Sequence, residues 1–115
     1  MSNIIKVMPK EKLIKNNTFR ERVYEALKLV PEGKVTTYKA LAEYLGTRAY
    51  QAVGTAMNKN PYAPIVPCHR VINSTGDIGG FAKGTTKKIE MLTKEGIQIV
   101  DGKIDLKKFE FNFSQ

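Results

Sequence analysis

The sequence predicts an α+β domain, mainly helical: a winged-helix-like unit with a helix-turn-helix and a small C-terminal β-hairpin. Three observations predict it. Apolar residues recur at helical spacing in four short segments, each with its own start or stop signal. Two of those segments are separated only by a glycine-containing turn. Near the C-terminus, Asp101-Gly102 stands between two short apolar runs, a strong hairpin signal. At 115 residues the chain is long enough for one compact core.

The first helix starts at Thr18, because Thr18-Phe-Arg-Glu21 has the pattern of a capping box, in which threonine and glutamate each satisfy an orphan backbone donor. Phe19, Val23, Ala26, Leu27 and Val30 follow as one buried stripe, and Pro31-Glu-Gly33 stops it. Val35 enters a short connection. Thr36 or Thr37 then caps a second helix through Leu45, with Ala40, Leu41, Tyr44 and Leu45 inward and Gly46 just past its end. A third helix runs from Arg48 to Asn58. Ala49, Ala52, Val53 and Ala56 form its buried stripe, opposite a polar face of Gln51, Thr55 and Asn58. Val71-Ile72 is a short apolar segment, Asn73-Ser-Thr-Gly-Asp77 a turn, and Gly79-Gly80-Phe81-Ala82-Lys83-Gly84 a glycine-rich loop. Thr85 or Thr86 caps a fourth helix, with Ile89 and Leu92 buried, that ends before Gly96. Ile97 to Val100 and Lys103 to Leu106 are the hairpin arms. Residues 107–115 form a tail whose Phe109, Phe111 and Phe113 alternate, as in an added strand or a segment docked on the core. Residues 1–17 are a basic N-terminal segment, which leaves 18–106 as the domain proper.

Composition narrows the function. Nineteen basic residues against 11 acidic ones give +8, a balance that favours polyanions, nucleic acid foremost. One cysteine excludes an internal disulfide framework and a multi-thiolate metal site, and it fits a reducing compartment. Lysines interrupt residues 1–17, so no signal peptide is expected there, and no apolar run is long enough to span a bilayer. The expectation is a monomer with no cofactor, no metal and no membrane partner, cytoplasmic or nucleoid-associated (nuclear in a eukaryote).

The cysteine carries the chemistry. Pro67-Cys68-His69-Arg70 sets it beside the only histidine and one of the four arginines, at the end of the proline-punctuated loop Asn60-Pro-Tyr-Ala-Pro-Ile-Val-Pro67. A thiol reacts as its thiolate, and cationic or hydrogen-bonding neighbours raise that fraction. Prolines fix φ along the approach. An isolated cysteine is most often a small buried hydrophobe; these neighbours point instead to a presented nucleophile. Adjacent residues in an extended segment face opposite sides, so His69 reaches the sulfur only if the backbone turns there or a water intervenes. The structural alternative is a buried, hydrogen-bonded His69 and an Arg70 that anchors the surface. The glycine-rich loop lacks the Lys-Ser/Thr and the setting of a P-loop, so nucleotide hydrolysis is not expected. Tyr38, at the start of the second helix, fits either half-buried packing or a general acid.

Together these segments resemble the O6-alkylguanine-DNA alkyltransferases, the methylated-DNA–protein-cysteine methyltransferases. The likeness is carried by Val30-Pro-Glu-Gly-Lys-Val-Thr-Thr-Tyr38 with the Lys39-Ala-Leu-Ala helix, Ala52-Val-Gly-Thr-Ala-Met57 and Asn60-Pro61. It continues through Ile65-Val-Pro-Cys-His-Arg-Val-Ile72, Gly79-Gly-Phe-Ala-Lys-Gly84 and Glu95-Gly96, in one register. The resemblance implies the catalytic and DNA-binding half alone, without the N-terminal domain that many members add. It implies that Cys68 attacks the alkyl carbon on guanine O6 and keeps the group as a thioether, so that each molecule acts once. Tyr38 matches the proton donor to the leaving guanine. His69 accepts the thiol proton through a water, Glu95 orients and polarises His69, Asn60 holds the loop ahead of the cysteine, and Arg70 is a structural partner.

The implied partner is double-stranded DNA containing O6-alkylguanine, with the lesion rotated out of the stack. The second helix of the helix-turn-helix enters the minor groove, which puts Arg48, Gln51, Ala52, Gly54, Thr55 and Asn58 at the DNA. Tyr38, Val71, Gly80, Phe81 and Ala82 line the base pocket. Two positions depart from the usual pattern. Gln51 replaces an arginine that fills the gap left by the flipped base; glutamine can hydrogen-bond the orphaned cytosine but brings no charge, and Arg48 is the nearby cation. Phe81 replaces a tyrosine, keeping a ring to stack and losing a hydroxyl. Alkyltransferase-like proteins share the fold, bind damaged bases and carry another residue at the cysteine position. A damage-recognition module without efficient transfer is therefore the alternative activity.

Overall fold

Both halves of the capping box form at the start of the first helix among the described residues: the Thr18 hydroxyl accepts from the Glu21 N–H at 3.2 Å, and the Glu21 carboxylate accepts from the Thr18 N–H at 3.3 Å. The computed structural model describes residues 18–79 and 84–113. In chain order these form α1 (Phe19–Leu27), β1 (Thr36–Thr37), α2 (Tyr38–Leu45) and α3 (Tyr50–Asn58). A single 3-10 turn (Cys68–Arg70), β2 (Val71–Ile72), α4 (Thr85–Lys94) and the short α5 (Leu106–Phe109) follow.

The first three helices pack on one another. Val23, Tyr24, Ala26 and Leu27 of α1 meet Leu41 and Ala42 of α2 and Val53, Ala56 and Met57 of α3, with Val66 and Val71 completing the core. Each fully buried valine and leucine here stabilises the fold by about 1.5–3 kcal/mol relative to exposure. The Tyr24 hydroxyl donates to the Ala56 carbonyl at 2.8 Å, fixing α1 against α3. Thr37 is the residue that caps α2, accepting from the Ala40 N–H at 3.0 Å. Gly46 ends α2 at φ 74°, a left-handed conformation that glycine adopts without a Cβ penalty. The four residues 46–49 then turn the chain into α3, giving the expected helix-turn-helix.

The sheet is not where local signals put one. Thr36 pairs with Val71 and Thr37 with Ile72, in parallel, across a long stretch of sequence. The C-terminal hairpin survives as a reverse turn: Val100 and Lys103 exchange two backbone bonds of 2.9 and 3.0 Å around left-handed Asp101 and Gly102. Its second arm does not extend along the first, because the turn over residues 73–77 competes for it. Ile104 donates to the Gly76 carbonyl at 2.9 Å and Ile78 to the Gly102 carbonyl at 3.0 Å. Gly76, at φ 95°, is required there, since a Cβ would lie 2.9 Å from the Ile104 carbonyl oxygen. These bonds organise a second core of Val35, Ile72, Ile78, Leu92, Ile97 and Ile104.

Helix α3 begins two residues later than its apolar pattern suggests, so Ala49 and Ala52 are exposed and Met57 takes the inward place beside Val53 and Ala56. Arg48 and Ala49 belong to the turn, where the Thr47 hydroxyl accepts from the Ala49 N–H at 3.0 Å. On α2, Ala42 rather than Tyr44 faces the core; Tyr44 lies half exposed and stacks on Phe113 at 4.5 Å. Neither Thr85 nor Thr86 caps α4: Gly84 is its N-cap, without a side-chain bond. The tail docks. Phe111 donates to the Val35 carbonyl at 2.7 Å and Val35 to the Phe109 carbonyl at 2.9 Å, so residues up to 113 lie against the domain.

Candidate active site around Cys68

The approach to the cysteine is held by one side chain. Asn60 donates from Nδ2 to the Val66 carbonyl and accepts at Oδ1 from the Tyr62 N–H, both at 2.8 Å, so it clamps the two ends of the loop. Tyr62 sets its ring edge-on to Tyr24 at 5.8 Å, tying the same loop to α1. Cys68 then donates to the Val66 carbonyl at 2.9 Å and Arg70 to the Pro67 carbonyl at 3.0 Å, closing the 3-10 turn. This turn separates two neighbours by environment: Cys68 is half-buried at the edge of the first core, whereas His69 is 2 % exposed.

Glu95, at the C-terminal cap of α4, receives most of the polar groups of this turn. His69 Nε2 lies 2.7 Å from its Oε2. Arg70 donates to it from Nε at 3.0 and 3.1 Å and from Nη2 at 2.8 Å, and the Gly33 N–H donates at 3.3 Å. The remaining Arg70 Nη1 reaches the Val30 carbonyl at 2.8 Å, just beyond α1. Burial pushes the Glu95 carboxyl up, but bonds from Arg70, His69 and Gly33 outweigh it and hold the group below its ordinary value. Burial pulls the His69 imidazole down, against a smaller upward pull from Glu95. At neutral pH the pair is therefore a carboxylate and a neutral imidazole. The carboxylate can only accept, so the proton sits on Nε2 and Nδ1 keeps its lone pair. Among the described residues no direct hydrogen bond joins imidazole and sulfur.

Tyr38, the first residue of α2, packs half-buried against the same core edge as Cys68. Burial first, and then negative charge on Cys68, push its phenol above the ordinary value, so the hydroxyl keeps its proton. One member of the cluster was absent from the sequence expectations. Lys88 is fully buried, and its ammonium donates to the Val71 carbonyl at 2.7 Å and to the Ile78 carbonyl. It thereby staples the strand leaving the cysteine turn to the segment that leads into residues 79–84. Burial lowers its pKa to about 8, and attraction to Cys68 works against that fall. The signal for it lies in the helical period: position 88 is one turn before Leu92 on the apolar stripe, and a lysine there must find acceptors.

The groups expected at DNA lie on α3 and in the turn before it. Gln51, Ala52, Thr55 and Asn58 face outward on α3, Gly54 is half-buried on its flank, and Arg48 is exposed in the preceding turn. Val71 departs from expectation: its side chain is fully buried in the first core, so its contribution near the site is through its backbone. Gly80, Phe81 and Ala82 lie outside the described residues, as do residues 1–17. An open cleft of about 630 Å³ is lined by Tyr38, Lys39, Tyr50, residues 73–75 and Asp77. Among the described residues no cluster of His, Cys, Asp and Glu could hold a metal ion, and no helix is long and apolar enough to cross a membrane.

The sequence model described as "6-O-methylguanine DNA methyltransferase, DNA binding domain" matches residues 18–97. A methylated-DNA–protein-cysteine methyltransferase of Sulfolobus acidocaldarius is 46% identical over 83 residues, covering 72% of this chain and 52% of that protein. The crystal structure of O6-methylguanine-DNA methyltransferase from Pyrococcus kodakaraensis superposes with a TM-score of 0.64 at 46% identity, over 69% of this chain and 46% of that one. S. pombe Atl1, solved in complex with damaged DNA containing O6-carboxymethylguanine, superposes with a TM-score of 0.73 at 33% identity, over 82% of this chain and 94% of that one. The chain spans about half the length of the Sulfolobus relative.

Proposed function

Because the chain belongs to the family of the 6-O-methylguanine DNA methyltransferase DNA-binding domain, we propose that it repairs DNA by direct reversal, moving the alkyl group of O6-alkylguanine onto Cys68 in a single turnover. The observation that carries this reading is the split environment of the 3-10 turn: a half-buried sulfur backed by a buried His69–Glu95–Arg70 array. A merely structural cysteine does not need a buried, neutral imidazole held by a carboxylate as the next residue.

In the proposed step a sulfur–carbon bond forms as the carbon–oxygen bond breaks. The thiol proton passes through a water to His69 Nδ1, and Glu95 stabilises the resulting imidazolium at Nε2. The electron pair of the broken bond goes to guanine, which takes a proton from the Tyr38 hydroxyl. The phenol recovers its proton from solvent, to which His69 returns the one it took, so thiol and alkylguanine become thioether and guanine with nothing left over. The thioether is not reopened, so each molecule acts once. Asn60 and Arg70 act as positioning residues, and Lys88 joins them as the clamp on the exit from the turn.

Double-stranded DNA lies along the outward face of α3, with Arg48, Gln51, Ala52, Gly54, Thr55 and Asn58 near it and Gln51 at the space of the extruded base. The +8 balance supplies phosphate contacts that raise affinity without reading sequence. Such a protein works as a monomer where DNA and reduced thiols coexist, in the cytoplasm or at the nucleoid. The test is guanine restoration in a duplex carrying O6-methylguanine. The wild-type chain restores it; Cys68→Ala binds the duplex and restores none. A wild-type chain that binds the damaged duplex and leaves the lesion intact is a damage-recognition module, and the proposal falls.

A further inference from the structure

Tyr50 leaves a large ring in water. It is 47% exposed at the first position of α3. Tyr44 and Tyr62 are comparably exposed, yet each sets its ring on another, Phe113 and Tyr24 respectively. The Tyr50 ring enters none of the aromatic pairs among the described residues. Single exposed apolar groups are ordinary; its position is what singles this one out.

Tyr50 borders two open clefts at once. On one side lie Tyr38, Lys39 and the turn over residues 73–77; on the other lie Glu43, Gly46, Thr47 and Arg48. A ring that walls a depression on each side is a ridge. A cation flanks it on either side, Lys39 in one cleft and Arg48 in the other. Carboxylates border the clefts too, and Asp77 is already engaged by the Thr75 hydroxyl at 2.7 Å, with Lys103 at 4.0 Å. No side chain caps α3 here, so the positive end of its dipole faces the same place.

We propose that Tyr50 is the wedge of this chain: its ring enters the duplex against the base pair beside the extruded nucleotide, with Lys39 and Arg48 on the phosphates to either side. This rests on the DNA-repair reading above and adds a residue to it. Extrusion strips a stacking partner from the neighbouring pair, and an inserted side chain restores that contact. Gln51, the next residue, is turned by about 100° around the helix, so it can meet the unpaired cytosine while the Tyr50 ring fills the stack. The glutamine has no aromatic face, and Tyr50 supplies one.

The full chain is compared with Tyr50→Ala and Tyr50→Phe in two measurements. The first is single-turnover transfer from O6-methylguanine in duplex DNA and from free O6-benzylguanine, which needs no extrusion. Stacking lost to alanine predicts a duplex rate down about tenfold or more, a free-base rate within about threefold, and a phenylalanine variant close to wild type. The second is the fluorescence rise of pyrrolocytosine placed opposite the lesion, which loses its pairing partner on extrusion and is not the base the ring stacks on, read in the Cys68→Ala background so that it reports extrusion independently of sulfur chemistry. Tyr50→Ala should remove most of that rise. An unchanged duplex rate, equal losses on both substrates, or a phenylalanine variant as damaged as alanine overturns the wedge, as does the absence of any rise with the ring present. Failure of the repair reading looks different: no transfer from any substrate, with the fluorescence comparison still deciding the role of Tyr50.

Discussion

Glu95→Gln should break the site without changing its shape. The amide keeps the volume and one acceptor oxygen but removes the charge that Arg70 and His69 share at 2.7–2.8 Å. Its NH2 group must then face a donor. Against Arg70 that contact is repulsive; against His69 it forces the other tautomer, which puts the proton on Nδ1 and removes the base. Arg70, 15% exposed in its side chain, is left without a counter-charge. Breaking a buried pair costs about 3–5 kcal/mol, and partial exposure places this one near about 3 kcal/mol. For a 115-residue chain the unfolding entropy converts that to a melting temperature lower by about 12 °C. Loss of a correctly protonated base slows proton transfer by about a hundredfold or more. Thermal denaturation followed by circular dichroism reads the first number, and single-turnover transfer at pH 7.5 reads the second. A variant that melts within about 2 °C of wild type and transfers within about threefold refutes the role given to Glu95.

The same pair sets the acid limb of stability. The folded Glu95 pKa is below its ordinary 4.5, so its contribution is present above that value and is lost as pH falls through the lowered one. His69 is lowered from 6.5, so below that value the unfolded chain binds the extra proton first and stability falls. Both effects destabilise in acid. Glu95→Gln removes the first and should show a shallower loss below pH 4.5, measured by urea denaturation across pH.

Three further outcomes test other parts of the account. Lys88→Met leaves the Val71 and Ile78 carbonyls unpaired and should lower stability by about 2 kcal/mol at pH 7. Because the folded Lys88 pKa is about 8 and its ordinary value 10.5, the unfolded chain binds more protons between them. Wild type therefore gains stability from this group as pH rises through that window; a methionine variant whose urea midpoint follows the wild-type slope there would contradict the burial of a charged amine. Asn60→Ala removes two backbone anchors and should cost about 1–2 kcal/mol while slowing transfer more than the lowered melting point explains. Binding to undamaged duplex should weaken linearly in log salt, and Arg48→Ala should reduce the slope by about one phosphate contact; an unchanged slope places Arg48 away from the backbone.

What the sequence made legible was mostly local. A threonine with a glutamate three residues on announced the start of α1, and a glycine past the last turn announced the end of α2, because caps are short-range chemistry; α1 itself stops at Leu27, short of the Val30 its apolar stripe included. The Pro-Cys-His-Arg run marked the segment that the 3-10 turn organises, but that turn sets a half-buried Cys68 beside a buried His69 without a hydrogen bond between them among the described residues. What stayed hidden depends on contacts between distant segments. The β1–β2 pair joins residues 36–37 to 71–72 across two helices and a loop, with no local hairpin signal to announce it. The hairpin arms at 97–106 carry the right pattern, but the turn at 73–77 offers better-placed backbone partners. Helix α3 shows the limit of apolar periodicity when small residues make up the stripe: alanine is nearly indifferent to exposure, so Val53 and Met57 set the face. Lys88 breaks the usual association of lysine with the surface, because the carbonyls that receive it belong to other elements.

The proposed role of Cys68 as the final acceptor is tested most directly by the mass of the protein after reaction. Incubation with an excess of duplex containing O6-methylguanine should add one methyl group per chain, found by peptide mapping on Cys68, with guanine restored in equal amount and no further. Guanine restored repeatedly with Cys68 unmodified, or a methyl group retained on any other residue, would contradict it.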